Sequence, residues 1–164
     1  MIHYQMHASP LGTLLLAASG RGLCGVYFDQ HRHFKGPQEW LASDDHPYLR
    51  RAAEQLDDYF DGKRQMFDVP LDLAGTPFQR RIWEQLSRLP YGASTSYLQH
   101  AAASGAGHAV RAVGTAIGRN PVSIIVPCHR VLAGNGALAG YAGGLERKRY
   151  LLAFEAAGSG NKAA

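Results

Sequence analysis

Strand-like apolar runs lie before residue 75 of this chain, and several helical patterns of apolar residues lie after it. Before that point, apolar runs at residues 13–18 and 23–28 flank a Ser-Gly-Arg-Gly turn, which is typical of a β-hairpin. After it, apolar residues recur every three or four positions, which is typical of helices. The pattern predicts an α+β chain. Residues 1–75 form a small domain with a short antiparallel sheet and a helix, and residues 76–164 form a mainly helical domain.

The first domain also carries signals for a helix and an edge strand. Pro47 opens an amphipathic pattern that Asp61 and Gly62 end. Residues 67–73 alternate between apolar and polar side chains, and Pro70 restricts such a strand to the edge of a sheet. The polar residues 31–45 indicate a loop.

The second domain begins at Thr76, where Thr-Pro-Phe-Gln offers a capping box with proline in the first turn. Two short helical patterns follow at residues 96–103 and 108–117, joined by Ser-Gly-Ala-Gly. This layout is that of a helix-turn-helix, and equally that of any helical hairpin in a small bundle.

The charge is distributed unevenly between the two domains. Residues 1–75 hold seven Lys/Arg and ten Asp/Glu, whereas residues 76–164 hold ten Lys/Arg and three Asp/Glu. A basic half of this kind favours a polyanion partner, and a solvated basic face is the alternative.

Several classes of protein are disfavoured by the composition. The N-terminus has no basic region followed by an apolar stretch, and no apolar run approaches the roughly 18 residues of a membrane span. We therefore expect a cytoplasmic protein, nucleoid-associated if bacterial. Cys24 and Cys128 lie far apart without metal-ligand spacing, so we expect free thiols and no metal.

The helix predicted at residues 108–117 has an unusual face. Val110, Val113 and Ile117 form an inward stripe, whereas Ala109, Ala112 and Ala116 would form a second stripe with almost no bulk, and Arg111 would project away from the core. A smooth face suits close approach to a widened minor groove. Packing against a neighbouring helix would explain the alanines as well.

The candidate nucleophile is Cys128, which follows an apolar run at residues 122–126 that predicts a buried extended segment. A thiol with a pKa near 8.5 is mostly protonated at neutral pH, and an adjacent imidazole can take its proton directly or through water. His129 can do so only if the chain bends into a helical turn, which Pro127 makes plausible. A core cysteine beside a surface histidine is the alternative.

A carboxylate and a small-residue segment complete the candidate site. Glu155 shares a helix face with Leu151 and Leu152, so it is expected to be paired, either with His129 or with a nearby arginine. Residues 140–144, glycines around a tyrosine, could form the wall of a flat pocket or a flexible connection.

Together these residues resemble a known family. Pro127-Cys128-His129-Arg130-Val131, with Arg111-Ala112-Val113-Gly114 and Asn120-Pro121 before it, resembles the methylated-DNA–protein-cysteine methyltransferases, also called O6-alkylguanine-DNA alkyltransferases. The resemblance runs from Thr76 to Glu155, whereas residues 1–75 match only in layout. It implies a ribonuclease H-like first domain and a winged-helix-like second domain.

The resemblance implies direct-reversal DNA repair without a cofactor. Cys128 would take a methyl or alkyl group from O6 of guanine, and also from O4 of thymine, in a single irreversible turnover. The partner would be double-stranded DNA containing O6-alkylguanine, bound by a monomer that flips the base through the minor groove.

The family's roles carry over residue by residue. His129 would be the base, relaying through water to Glu155. Asn120 would link the recognition helix to the site, Tyr97 would donate to the guanine ring, and Arg111 would fill the gap in the base stack. The DNA contacts would include Ser96, Ala109, Ala112 and Gly114, and the pocket would be lined by Ile117, Ser123, Val131, Tyr141, Ala142 and Gly143.

Three other functions compete with this one. A non-catalytic sensor of alkylated DNA would lack the cysteine. A helix-turn-helix regulator would need base-reading side chains where this chain has alanines. A thiol hydrolase would turn over repeatedly.

Overall fold

The computed structural model of the protein describes residues 1–159 and divides into two compact units. The first unit comprises Met1–Ala74 together with Pro121–Ser123, and the second comprises Gly75–Asn120 with the described residues from Ile124 onward. Both contain helices and strands, as the predicted α+β class requires.

A four-stranded sheet forms the core of the first unit. Its order is β3-β2-β1-β4, and only the β1–β4 pair is parallel. Strand β2 is buried on both faces from Leu14 to Ala18, so the sheet is covered on both sides along this central strand. The predicted hairpin is confirmed as β2 and β3. The strands are β1 (His3–Ser9), β2 (Gly12–Ala18), β3 (Leu23–Phe28) and β4 (Leu41–Ala42).

Two strands of the first unit differ from what the sequence led us to expect. Strand β1 was missed because its polar residues, among them His3 and His7, mask its alternation. The edge strand predicted at residues 67–73 is reduced to one bridge between Leu71 and Leu23. The reason is physical: Pro70 lacks an N–H and can only accept, which it does from the Leu23 N–H at 2.8 Å.

The predicted helix at Pro47 is confirmed as α1 (Pro47–Phe60). Its buried stripe is the apolar one expected from the sequence, and it includes Leu49, Leu56 and Tyr59. Gly62, with a φ of 76°, follows the C-cap residue Asp61 and ends the helix.

The second unit is built on three helices that the sequence predicted well. They are α2 (Pro77–Leu86), α3 (Tyr97–Ala103) and α4 (Val110–Gly118). Thr76 forms the predicted capping box with Gln79. The indole of Trp83 donates to the Ala116 carbonyl at 2.8 Å, which ties α2 to α4.

The remaining elements carry the chain to and from the candidate nucleophile. A 3₁₀ turn spans Cys128–Arg130, strand β5 (Thr95–Ser96) pairs in parallel with β6 (Val131–Leu132), and α5 spans Leu145–Gly158. The prediction of an extended segment at residues 122–126 was wrong. Only Val122 forms a bridge, and the chain then turns with Ile124 at a φ of 73°.

Candidate active site

The Cys128 thiol lies at the start of a tight turn directly after the apolar loop. The Cys128 N–H donates to the Val126 carbonyl at 2.8 Å, and the Arg130 N–H donates to the Pro127 carbonyl at 3.1 Å. The bend predicted at Pro127 is thus confirmed, so Cys128 and His129 do not alternate as they would in a strand. Cys128 retains 7% exposure, whereas His129 has none.

Burial sets the resting state of the thiol. It raises the pKa of Cys128 above the ordinary value, while a hydrogen bond from the Asn120 side chain and the charge of Lys148 act in the opposite direction. The net direction is upward, so the thiol is neutral at pH 7. The site therefore needs a base to generate the thiolate that can attack an alkyl carbon.

Asn120 connects the end of helix α4 to the nucleophile loop. Its Nδ2 donates to the Val126 carbonyl at 2.8 Å, and its side chain also hydrogen bonds Cys128. The residue is buried at 3% exposure. One amide thus fixes the backbone before Cys128 and favours the ionised sulfur.

His129 and Glu155 are in direct contact. The distance from Nε2 of His129 to Oε2 of Glu155 is 2.8 Å, and both side chains are buried. The water relay expected between them was wrong, because a contact of this length leaves no room for a water. A carboxylate only accepts, so Nε2 carries the proton and Nδ1 is the basic nitrogen.

The Nδ1 atom of His129 is available for proton transfer. Within residues 1–159 this buried atom has no hydrogen-bond partner. Burial lowers the pKa of His129 in spite of its contact with Glu155, so the ring is neutral and can accept a proton. These are the properties required of a general base.

Arg130 shares the same carboxylate, so both pairings considered for Glu155 occur together. Nε of Arg130 donates to Oε1 at 2.8 Å, and Nη2 donates to Oε2 at 2.9 Å. Nη1 donates to the Leu89 carbonyl, which anchors the chain after α2. Bonds from His129 and Arg130 outweigh the effect of burial and lower the pKa of Glu155 to about 2. The sequence did not indicate which arginine would pair.

Tyr97 and Lys148 converge on one backbone carbonyl. The hydroxyl of Tyr97 donates to the Ala139 carbonyl at 2.9 Å, and Nζ of Lys148 donates to the same oxygen at 2.9 Å. Sequence reasoning missed Lys148. The signal was present, since Lys148, Leu151 and Glu155 follow one another at helical spacing on the same face.

The predicted pocket residues of the second unit differ in their burial. Ile117, Val131 and Gly143 are buried, and Tyr141 and Ala142 are half-buried. Ser123 belongs to the first unit, where its N–H donates to the Val26 carbonyl at 3.2 Å.

The predicted DNA face lies mainly on α4. Arg111 and Ala112 are exposed, Ala109 and Gly114 are half-buried, and Ser96 is the half-buried N-cap of α3. The prediction of an exposed alanine stripe on this helix was partly wrong, because Ala116 is buried at 3% exposure. The exposed neighbour of Ala112 is instead Thr115, whose hydroxyl donates to the Arg111 carbonyl at 3.1 Å. The face remains low in bulk.

The described part of the chain offers neither a cluster of metal-ligating side chains nor a membrane-spanning helix. Residues 1–159 contain no group of three or more His, Cys, Asp or Glu side chains that could hold a metal ion. No helix among them has the length and apolar character to cross a bilayer.

Comparison with known proteins identifies the family. Residues 77–157 match the model described as 6-O-methylguanine DNA methyltransferase, DNA binding domain. Residues 2–73 match the ribonuclease-like domain of 6-O-methylguanine DNA methyltransferase. The chain belongs to the 6-O-methylguanine DNA methyltransferase family. The resemblance noted in the sequence, and the fold it implied, are therefore confirmed.

Relatives within the 6-O-methylguanine DNA methyltransferase family align over nearly the whole chain. A methylated-DNA–protein-cysteine methyltransferase of Mycobacterium tuberculosis is 45% identical over 94% of this chain and 93% of its own length. The constitutive one of Bacillus subtilis is 43% identical over 94% of this chain and 96% of its own. The crystal structure of Mycobacterium tuberculosis OGT in complex with DNA superposes with a TM-score of 0.88 at 43% identity, covering 95% of this chain and 94% of that one.

Proposed function

We propose that this protein repairs alkylated DNA by moving a methyl or alkyl group from O6 of guanine, and from O4 of thymine, to Cys128. Membership of the 6-O-methylguanine DNA methyltransferase family supports the reaction class. The observation that carries the proposal for this chain is the arrangement of Cys128, His129 and Glu155. The neutral thiol is next in sequence to an imidazole that bonds Glu155 through Nε2, and the Nδ1 of that ring has no hydrogen-bond partner among residues 1–159.

The chemical step balances without a cofactor. The proton of the Cys128 thiol passes to Nδ1 of His129 through one water, and Glu155 stabilises the imidazolium. The sulfur forms a bond to the alkyl carbon as the bond from that carbon to O6 breaks. The electron pair remains on guanine, which takes up a proton, and Cys128 becomes a thioether. Because nothing removes that thioether, each molecule acts once.

Access to the lesion requires the base to leave the helix. Alkylated O6 lies within the duplex stack, so the nucleotide is rotated into the pocket at a cost of a few kcal/mol. We assign Arg111 to the gap left behind, because it is exposed on α4 beside the small residues Ala112 and Thr115. The low bulk of this face supports approach through the minor groove.

The remaining parts of the site have supporting roles. Tyr97 donates to the guanine ring after its hydroxyl leaves the Ala139 carbonyl. Asn120 favours the thiolate through its hydrogen bond to Cys128. The partner is double-stranded DNA carrying O6-alkylguanine, and we propose that the protein acts on it as a monomer in the cytoplasm, at the nucleoid if the source is bacterial.

The decisive experiment counts transferred groups. The protein is incubated with a duplex containing a single O6-methylguanine, and intact and peptide masses are measured. One methyl per molecule should appear on the peptide containing Cys128, with no further gain at excess DNA. Cys128→Ser should bind the duplex and gain nothing. Repeated turnover, or a methyl on another residue, would refute the proposal. A duplex with O4-methylthymine tests the second substrate in the same way.

A further inference from the structure

Helix α1 of the first unit begins at an unusual capping residue. Its N-cap is His46, whose Nδ1 accepts a hydrogen bond from the Tyr48 N–H at 3.3 Å. Only an unprotonated ring nitrogen can accept, so Nδ1 carries no proton while this bond is formed. The usual capping residues are serine, threonine, asparagine and aspartate, and histidine is the side chain that ordinarily changes its charge between pH 5 and 8. The cap of α1 is therefore one that acid removes.

A second imidazole lies against His46 from the sheet. The ring centroid of His3, on β1, is 5.1 Å from the ring centroid of His46. Within residues 1–159, Nδ1 of His3 is buried and has no hydrogen-bond partner, so a proton on this atom would find no acceptor. Two protonated imidazoles at this distance would also repel each other. Acid therefore weakens the contact between β1 and α1 as well as the cap.

The surroundings of His46 disfavour a positive charge. The N-terminus of a helix repels cations, and the first turn of α1 contains no acidic residue. Burial, followed by His3, lowers the pKa of His46 below its ordinary value, and Asp45 opposes them with a smaller effect. The Tyr48 ring lies 5.8 Å from the His46 ring between centroids. The titratable groups that face His46 are thus His3, Asp45 and Tyr48.

The strand that leads into this cap is weakly held. Strand β4 is two residues long, and both of its residues are exposed. The Leu41 N–H donates to the Ile2 carbonyl and the Ser43 N–H donates to the Tyr4 carbonyl, both at 2.9 Å. Segments with few buried contacts open locally at a small cost in free energy. Because β4 lies just before His46 in the chain, fraying of α1 at its first turn would release β4 as well.

We propose that His46, His3 and β4 form an acid-sensitive latch in the first unit, which is closed while His46 is neutral and opens when His46 gains a proton. In the closed latch the neutral ring caps α1, and β4 pairs with β1. Protonation removes the acceptor of the cap and places a cation at the helix N-terminus beside His3, so the first turn of α1 frays and β4 leaves the edge of β1. The latch is independent of the alkyl transfer, because all of its residues lie in the first unit.

The direction of the pH dependence follows from the protonation of His46. Because folding lowers the pKa of His46 below the ordinary value of 6.5, the closed latch binds the proton less well than the open one. The stabilisation by the neutral ring is fully present above pH 6.5 and is lost as the pH falls through the folded pKa. The latch is therefore closed at neutral pH and opens in mild acid.

The test is amide hydrogen exchange, measured by NMR between about pH 7.5 and pH 5 and corrected for the intrinsic pH dependence of exchange. Protection is followed at the Leu41 and Ser43 amides, which bond to β1. The amides of the buried central strand β2 are the internal reference, because they report opening of the whole unit.

Four variants separate the cap from other effects of acid. His46→Asn and His46→Ser cap a helix without titrating, and two of them guard against a folding defect in one. His3→Phe keeps a ring without a charge. His108→Asn controls for the loss of one imidazole, because His108 is exposed in the second unit.

The wild-type protein should show a local loss of protection in acid. Protection at Leu41 and Ser43 should fall by about fivefold from pH 7.5 to pH 5, which is the effect of losing one N-cap hydrogen bond, while the β2 amides keep theirs. The fall should be less than about twofold in both capping variants of His46. It should be smaller than in the wild type in His3→Phe, and equal to the wild type in His108→Asn.

Titration of the His46 ring by NMR gives an independent readout. Its Cε1 proton should titrate with a midpoint below 6.5 in the wild type. The midpoint should rise in His3→Phe, because one of the two causes of the lowered pKa is then absent.

Four results would overturn the latch. They are an unchanged protection of Leu41 and Ser43 in the wild type, an equal fall in His46→Asn and His46→Ser, an equal fall throughout β2, and a midpoint of the His46 ring at or above 6.5. An equal fall in the capping variants would place the acid-sensitive group elsewhere. An equal fall throughout β2 would mean that the unit unfolds as a whole.

Discussion

His129 donates its Nε2 proton to Oε2 of Glu155 at 2.8 Å, and this contact decides which ring nitrogen can act as a base. Arg130 donates two further hydrogen bonds to the same carboxylate, so Glu155 stays ionised. The guanidinium balances the negative charge of Glu155, and His129 does not have to be protonated to balance it. The result is a neutral ring with Nδ1 as its basic nitrogen.

Replacing Glu155 with Gln should destabilise the protein strongly. The change leaves the Arg130 guanidinium buried without its counter-ion, a loss of about 3–5 kcal/mol in the free energy of unfolding. Urea unfolding at pH 7 measures it. Glu146→Gln is the matched control, because Glu146 lies exposed in the first turn of the same helix. Equal unfolding energies for the two variants would contradict the role of Glu155.

The contribution of Glu155 should also depend on pH in a defined direction. Its pKa falls from 4.5 in the unfolded chain to about 2 in the folded one, so the folded state favours the ionised form. The stabilisation, about 3 kcal/mol, is fully present above pH 4.5 and is lost as the pH falls towards 2. The difference in unfolding energy between wild type and Glu155→Gln should therefore narrow between pH 5 and pH 3. A difference independent of pH would be inconsistent with an ionised Glu155.

Asn120→Ala should weaken the nucleophile and the loop before it. It removes a hydrogen bond that lowers the pKa of Cys128, so alkylation by iodoacetamide at pH 7 should slow. It also removes one of two hydrogen bonds to the buried Val126 carbonyl, which keeps the bond from the Cys128 N–H, so the free energy of unfolding should fall by about 1 kcal/mol. Asn135→Ala, in the exposed turn after β6, should change neither quantity. An unchanged alkylation rate in Asn120→Ala would show that Asn120 does not promote ionisation of Cys128.

Arg111→Ala should separate base flipping from chemistry. If Arg111 fills the gap in the stack, methyl transfer from duplex DNA should slow by about tenfold or more in the variant. Unstacking the base costs a few kcal/mol, and without Arg111 no contact in the gap offsets that cost. Transfer from free O6-methylguanine base should be almost unchanged. Arg50→Ala, an exposed charge of the first unit, is the control for net charge. Equal slowing with both substrates would exclude the flipping role.

The helices of the fold could be predicted because their ends are encoded locally. Thr76 with Gln79, and Pro47 with Asp61 and Gly62, supply start and stop signals that do not depend on distant residues. The family resemblance rests on side chains close together in sequence, and it was visible for the same reason.

The parts that could not be predicted depend on contacts made after folding. A β-branched residue such as Ile124 rarely adopts a positive φ, so the apolar run at residues 122–126 pointed to a strand rather than to a turn. The partners of Glu155 were ambiguous because helical spacing identifies a buried face, and not which of the neighbouring cations will reach it. Lys148 escaped notice because lysine is rarely buried, although it lies on that same face.

The three residues Pro121–Ser123 belong to the first unit although they lie within the sequence of the second, so no single cut in the chain separates the two units. They pair with β3, where the Val26 N–H donates to the Pro121 carbonyl at 2.9 Å and the Val26 carbonyl accepts from the Ser123 N–H at 3.2 Å. A recombinant fragment starting at Gly75 would therefore keep Cys128 but would lack β3, the hydrogen-bond partner of the Pro121–Ser123 segment that ends five residues before Cys128. A fragment ending at Ala74 would expose an open strand edge, which is a route to aggregation. Cutting the chain between residues 74 and 75 would thus damage both fragments.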